Sequence, residues 1–150
     1  MKVLIAVDGS EYSKAAIEQA CELVIRPDSE VRIVSAYEDA YPISAEPFAI
    51  SADYYQKVDE AVHQQTVNFI DQAAAQCRSH FPGVTLDLTT EVLRGAPDKE
   101  IIEIAREWKP DLIVVGSHGR GFWGRMLGSV SDGVVHHAPC SVMVVRKRPV

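Results

Sequence analysis

Gly116, Gly119, Gly121, Gly124 and Gly128 crowd one stretch of the chain, DLIVVGSHGRGFWGRMLGSVS, and Ser129-Val130-Ser131-Asp132 follows at once. The stretch opens with an apolar run, Leu112–Val115, which suits a strand buried on both faces of a sheet. It closes on what reads as a capping box, Ser129 capping a helix N-terminus and Asp132 reaching back. A strand, a glycine-rich loop and a helix start together make an anion site. Glycines let backbone N–H groups approach a phosphate closely, and the positive end of the helix dipole favours it. A plain strand-to-helix turn is the simpler alternative, but a turn needs far fewer glycines. Arg120 and Arg125 are the cations of the loop, and a phosphate partner suits at least one of them.

Two familiar phosphate motifs fail on spacing. GxxxxGK[ST] is absent, and no lysine lies in the loop. Gly119-Arg120-Gly121-Phe122-Trp123-Gly124 is a literal GxGxxG after a strand. A dinucleotide fingerprint, however, needs its helix to open among the glycines and an acid about 20 residues on. Here the cap comes later, at Ser129, and no acid lies around Val144–Arg146. A mononucleotide held between the first and fourth strands is the third reading.

The elements that must position this stretch alternate in type. Val3–Val7 is a β-branched strand ending at Asp8-Gly9-Ser10. Ser10 or Ser13 can cap a helix with Ala16, Ile17, Ala20, Cys21 and Val24 on its apolar face, stopped by Pro27-Asp28. Val31–Ala36 is a second strand, and Glu38–Ala52 is a Tyr-, Pro- and Ser-rich loop of a length usually reserved for functional flaps. A helix from about Asp53 to His80 carries Val58, Val62, Phe69, Ala73 and Cys77 on one side. Val84–Leu93 alternates like an edge strand, and Pro97 opens a helix with Ile101, Ile102, Ile104, Ala105 and Trp108 inward. Lys109-Pro110 ends it, the glycine stretch follows, and after the helix to His137 the last strand is Ser141–Arg146. The order β-α-β-α-β-α-β-α-β argues a single parallel sheet with helices on both faces. Ligands of such sheets bind beyond the carboxyl ends of the strands, where Asp8, Ala36 and Gly116 lie.

Composition narrows the partners. The chain has 150 residues, enough for one domain with a sizeable core. A net charge of −6 argues against nucleic acid or an anionic membrane as partner, the short basic run Arg146-Lys147-Arg148 notwithstanding. Cys21, Cys77 and Cys140 are widely spaced, with no CxxC and no metal-ligand pattern, so reduced thiols in a cytoplasmic protein are expected. The first apolar run is too short for a signal peptide, and no run approaches a membrane span.

Gly116-x-x-Gly119, then eight residues, then Gly128-Ser129 closely resembles the ATP-binding signature of the universal stress protein family. The resemblance runs along nearly the whole chain: VLIAVDGS, LRGAP, DLIVVGSHGRG and LGSVSDGVVHHAPCSVMVVR all fit. One departure is that the eight residues Arg120–Leu127 are one fewer than the family's usual spacing. The resemblance implies an adenine nucleotide alpha hydrolase-like, Rossmann-like sheet of order 3-2-1-4-5 and a homodimer formed through the last strand. It implies ATP or AMP as ligand, with Ala6 and Val7 lining the base pocket and backbone at Ala36 reading the adenine edge. Asp8 would meet the ribose hydroxyls or a Mg²⁺ bridging the phosphates. Gly116 and His118 would lie near the ribose and α-phosphate, and Gly119, Arg120, Gly128, Ser129, Val130 and Ser131 around the phosphates.

Each of these residues also has a plainer use. Asp8 before Gly9 could be a turn residue, although an acid at a strand end accepts two vicinal hydroxyls well. His118 taken alone reads as a solvated loop side chain. His136-His137 point about 100° apart on a helix, so they cannot chelate together, and near a helix C-terminus they favour the dipole. Phe122 and Trp123 in a loop could pack on a helix, a base or a neighbouring subunit. No nucleophile–base pair is legible, and without a loop lysine at most slow ATP hydrolysis is expected. The family resemblance therefore implies a nucleotide-binding regulatory protein of the stress response. The alternative is a nucleotide-free dimeric interaction or chaperone-like protein.

Overall fold

The computed structural model describes residues 1–39, 51–119 and 126–147. Strands β1 (Lys2–Ala6), β2 (Glu30–Tyr37), β3 (Asp87–Arg94), β4 (Leu112–Gly116) and β5 (Ser141–Val145) alternate with helices. The helices are α1 (Glu11–Leu23), α2 (Ala52–Ser79), α3 (Pro97–Trp108) and α4 (Ser129–His137). All strand pairs are parallel, and the sheet order is β3-β2-β1-β4-β5, as expected. β1 is the central strand, and the chain winds outward from it twice, through β2 and β3 on one side and β4 and β5 on the other. The carboxyl end of β1 is thus the switch point where two loops diverge and leave a crevice.

Alternation along the strands makes two cores. Val3 and Ile5 of β1, with Val31 and Ile33 of β2 and Val114 of β4, face α1 and α2. Leu4 of β1, with Val34, Ile113 and Val115, faces α3 and α4. Both faces of the central strands are therefore apolar, which is why β1 and β4 read as continuous hydrophobic runs. Arg32 is the charged interruption in β2. Its guanidinium lies 4.7 Å from the Trp108 ring centroid and its Nη1 is 3.4 Å from Glu91 of β3.

Local signals set the helix ends. The Ser10 side chain accepts from the Ser13 N–H to cap α1, and Pro97 stands in the first turn of α3, where its missing N–H costs nothing. Lys109 ends α3 in the left-handed region at φ 54°. β3 begins three residues later than the alternation from Val84 suggests. The Val84 N–H donates to the Phe81 carbonyl in a turn, and β2 starts only at Glu30, opposite Asp87, so the earlier residues have no strand to pair with. β3 is nonetheless the wetter edge strand expected of it. Most of the expected flap, residues 40–50, lies outside the described residues.

The two-sided core carries the sheet. Ile5→Ala, at a fully buried site in the central strand, is expected to cost about 2–5 kcal/mol in urea unfolding. Leu23→Ala, at a residue 60% exposed, should stay within about 0.5 kcal/mol.

Candidate functional site

At the switch point the strands stop at different heights, and their backbones open into a cavity of about 340 Å³. β1 ends at Ala6, opposite Val34 and Val115, while β2 runs on to Tyr37 and β4 to Gly116. The Val34 carbonyl accepts from the Val7 N–H on the β1 side, and the Tyr37 carbonyl accepts from the Gly95 N–H on the β3 side. Backbone polar groups alternate sides along a strand, so the N–H and C=O of Ala36 turn back toward β1 beyond the point where β1 has ended. The same alternation holds on β4, where the Ser117 N–H donates to Val145 of β5 and leaves Gly116 facing β1. A planar hydrogen-bonding edge at Ala36 and the carbonyl of Gly116 thus flank the end of β1.

Asp8 sits between them. Its Oδ1 accepts from the Ser10 N–H at 2.9 Å, the Asp turn that the sequence offered as its plainer use. Its Oδ2 is directed at Gly119, 2.9 Å from where a Cβ on that residue would stand. The carboxylate therefore does both jobs: one oxygen fixes the turn and the other faces the cavity. Ser13 braces the same turn, its hydroxyl donating to the Ser10 carbonyl at 3.0 Å.

The far wall is the start of α4. Gly128 occupies the cap position with no side-chain capping bond, so the N–H groups of the first turn stand at the cavity. The expected capping box is not formed. Ser129 is the first helical residue and is exposed, and Asp132 lies near His136 instead of reaching back. The serine that secures this helix is Ser131, buried, whose hydroxyl donates to the carbonyls of Ser117 and Gly128 at 3.0 Å each. The helix starts one residue earlier than a Ser129 cap requires, because the Gly128 N–H is taken by the Ser117 carbonyl at 2.8 Å. That bond also joins the two ends of the glycine loop. A Cβ on Gly128 would stand 3.3 Å from the His118 Cα, so the approach has no room for a larger residue.

His118 is only 7% exposed, which corrects the expectation of a solvated loop side chain. Its Nδ1 lies 2.9 Å from the Ser117 hydroxyl, and its ring is tilted against that of Tyr12 with centroids 5.0 Å apart. Gly116 is needed for packing as well as for approach, since a Cβ there would stand 2.8 Å from the Tyr12 carbonyl carbon.

Ala6, Val7, Asp8, Ala36, Gly116, His118, Gly119, Gly128, Ser129, Val130 and Ser131, named from the sequence, all line this one cavity. Arg120, and with it Phe122, Trp123 and Arg125, lies outside the described residues. Sequence reasoning missed Ser13, Pro97, Ile101 and Val115, which also line it. Pro97 and Ile101 were legible as a helix start and an apolar face; that α3 opens at the same end of the sheet as Asp8 was the usable signal. Among the described residues no cluster of three metal-ligating side chains occurs, so Asp8 is the one carboxylate the cavity lining offers a cation. His136 and His137 are turned to their own helix, each Nδ1 at 2.8 Å and 3.0 Å from the carbonyls of Asp132 and Gly133.

A model of the universal stress protein family matches residues 1–146. A universal stress protein of Methanocaldococcus jannaschii is 32% identical, the match covering 97% of this chain and 82% of that one. Among solved structures, universal stress protein UspA from Lactobacillus plantarum superposes with a TM-score of 0.77 at 26% identity, over 97% of each chain. A universal stress protein crystallised in complex with cAMP gives a TM-score of 0.69 at 26% identity, over 97% of this chain and 96% of that one.

The two serines at the start of α4 should separate in a stability measurement. Ser131→Ala is expected to lower the unfolding free energy by about 1–2 kcal/mol, whereas Ser129→Ala should change it by less than about 0.5 kcal/mol. Equal losses in denaturant titrations would return the cap to Ser129.

Proposed function

The chain belongs to the universal stress protein family, and from that premise we propose that it is a regulatory protein of the stress response that binds ATP or AMP in the cavity beyond β1. The observation that carries the proposal is the arrangement of three complementary surfaces in that one cavity. The Ala36 backbone edge, with Ala6, Val7 and Ile101 as apolar neighbours, suits a flat base bearing donor and acceptor atoms. The Asp8 carboxylate suits vicinal ribose hydroxyls. The uncapped first turn of α4, with Gly119 and Gly128 beside it, suits phosphate. A fold relative at 26% identity holds a cyclic adenine nucleotide, which supports the same reading.

Asp8 and phosphate repel unless a cation stands between them. The Asp8 carboxylate would serve as a protein ligand for a Mg²⁺ carried by the nucleotide, since Mg²⁺ is commonly bound through one or two carboxylates and substrate phosphates. When bound it supplies charge neutralisation. The chain's own contribution is to hold the base, ribose and phosphates. With no lysine in the glycine loop, this reading expects slow hydrolysis at most. Arg120 completes the phosphate end in this proposal.

The proposal extends to assembly and location. β5 pairs with β4 on one side only, and its other edge carries unpaired backbone groups among the described residues. A second copy pairing along Ser141–Arg146 across a two-fold axis would satisfy them. Cys21, Cys77 and Cys140 are free thiols, which suits the cytoplasm. No helix among the described residues is long and apolar enough to cross a membrane.

Calorimetric titration should give saturable ATP and AMP binding in the micromolar range, on the order of −8 kcal/mol. Gly119→Val should abolish it with little loss of fold. Asp8→Asn should weaken adenosine and ATP by similar factors if the carboxylate holds ribose, and erase the Mg²⁺ dependence of ATP if it holds the metal. No heat at millimolar nucleotide would overturn the proposal in favour of a nucleotide-free interaction protein. Light scattering should report a dimer at tens of micromolar that Val144→Pro converts to monomer, because proline cannot donate to a ladder; a dimer that survives the change would move the interface elsewhere.

A further inference from the structure

We propose that Cys21 and Cys77 form an oxidisable dithiol that closes to an intramolecular disulfide when the protein meets a hydroperoxide, tying α1 covalently to α2. The two cysteines are 56 residues apart in sequence, yet their sulfurs lie 3.4 Å apart. Both belong to the buried cluster on the α1–α2 face of the sheet, Cys21 at 5% exposure and Cys77 at 0%. Cys140 packs against the opposite cluster, with the sheet between, and does not compete for either sulfur.

The contact is directed. Cys21 donates its S–H to the Cys77 sulfur. That bond pulls the Cys77 thiol below its usual range, and the same bond, with burial behind it, pushes Cys21 up. A lone buried cysteine is inert because its thiolate is disfavoured. Here one sulfur has a donor that favours its thiolate, and the donor is itself a thiol already in place to resolve an oxidised product. The bonded S–S distance is near 2.05 Å, so the sulfurs need to approach by about 1.4 Å. The helices are already joined on either side of that movement. Gln76 Nε2 donates to the Lys14 carbonyl at 3.0 Å, and the Phe69 ring covers Gly9 just before α1.

The chemistry balances with the peroxide as oxidant. The Cys77 thiolate attacks one peroxide oxygen, an S–O bond forms, the O–O bond breaks, and the departing oxygen takes a proton to leave as water or alcohol. The Cys21 sulfur gives up its proton and attacks the sulfenic sulfur. The S–S bond forms, the S–O bond breaks, and the second oxygen leaves as water. Two thiols supply the two electrons that reduce one peroxide. None of this depends on nucleotide binding, so the two proposals fail separately.

The test uses the full chain carrying Cys140→Ser, so that only the pair remains. The folded protein is exposed to hydrogen peroxide, then denatured, alkylated with N-ethylmaleimide and weighed by mass spectrometry. The account predicts a mass lower by two hydrogens, a fall from two alkylated cysteines to none, and full recovery of both by dithiothreitol. Two alkylated cysteines after peroxide, or oxygen atoms added without a cross-link, would overturn it. In Cys21→Ser the resolving thiol is gone, and a sulfenic acid at Cys77 should be trapped by dimedone.

Discussion

The Ser117 carbonyl is the acceptor on which the site depends. It receives the Gly128 N–H at 2.8 Å and the Ser131 hydroxyl at 3.0 Å, while the Ser117 N–H is bonded to Val145 at 2.8 Å. One residue, 1% exposed, therefore holds the end of β4 to β5 and to the start of α4. Each such bond adds only about 0.5–1.5 kcal/mol net, but leaving a buried partner unmade costs about 1–3 kcal/mol. The arrangement is accordingly strict: Gly128 stands against His118 and Gly119, a Cβ on it falling 3.3 Å from the His118 Cα and 3.5 Å from the Gly119 nitrogen.

With those ends pinned, the remaining geometry follows from the sheet. A parallel doubly wound order makes β1 central and lets β2 and β4 outrun it, so two backbone edges face each other across its end. Asp8 fills the gap between them because the chain must turn there, and the turn consumes only one carboxylate oxygen. The close approach of Gly116 to Tyr12 brings α1 against β4, and the tilt of Tyr12 on His118 keeps the imidazole at the cavity wall. Packing and site are thus the same residues seen from two sides.

Much of this was legible in the sequence, because strand ends, glycines and the alternation of elements are local signals. Val3–Val7 and Leu112–Val115 announced buried parallel strands, and their order announced where the crevice opens. What was not legible depended on partners distant in the chain. Ser129 and Ser131 are equally good caps by type, and only the Ser117 carbonyl decides that Ser131 is held while Ser129 is exposed. His118 looked like a loop residue because nothing local says that Tyr12 covers it. Pro97 and Ile101 join the cavity because α3 opens at the carboxyl end of the sheet, after β3, a property of the whole topology. The apposition of Cys21 and Cys77 likewise arises from two helices packing on one face.

The central claim is that one cavity reads base at Ala36 and phosphate at the start of α4. Backbone amide chemical shifts, followed by NMR during parallel titrations with adenosine and AMP, test it most directly. The account predicts that both ligands move Val7 and Ala36, while only AMP moves Gly128, Ser129 and Val130. AMP shifts confined to residues away from this cavity, or an α4 start equally indifferent to both ligands, would contradict it.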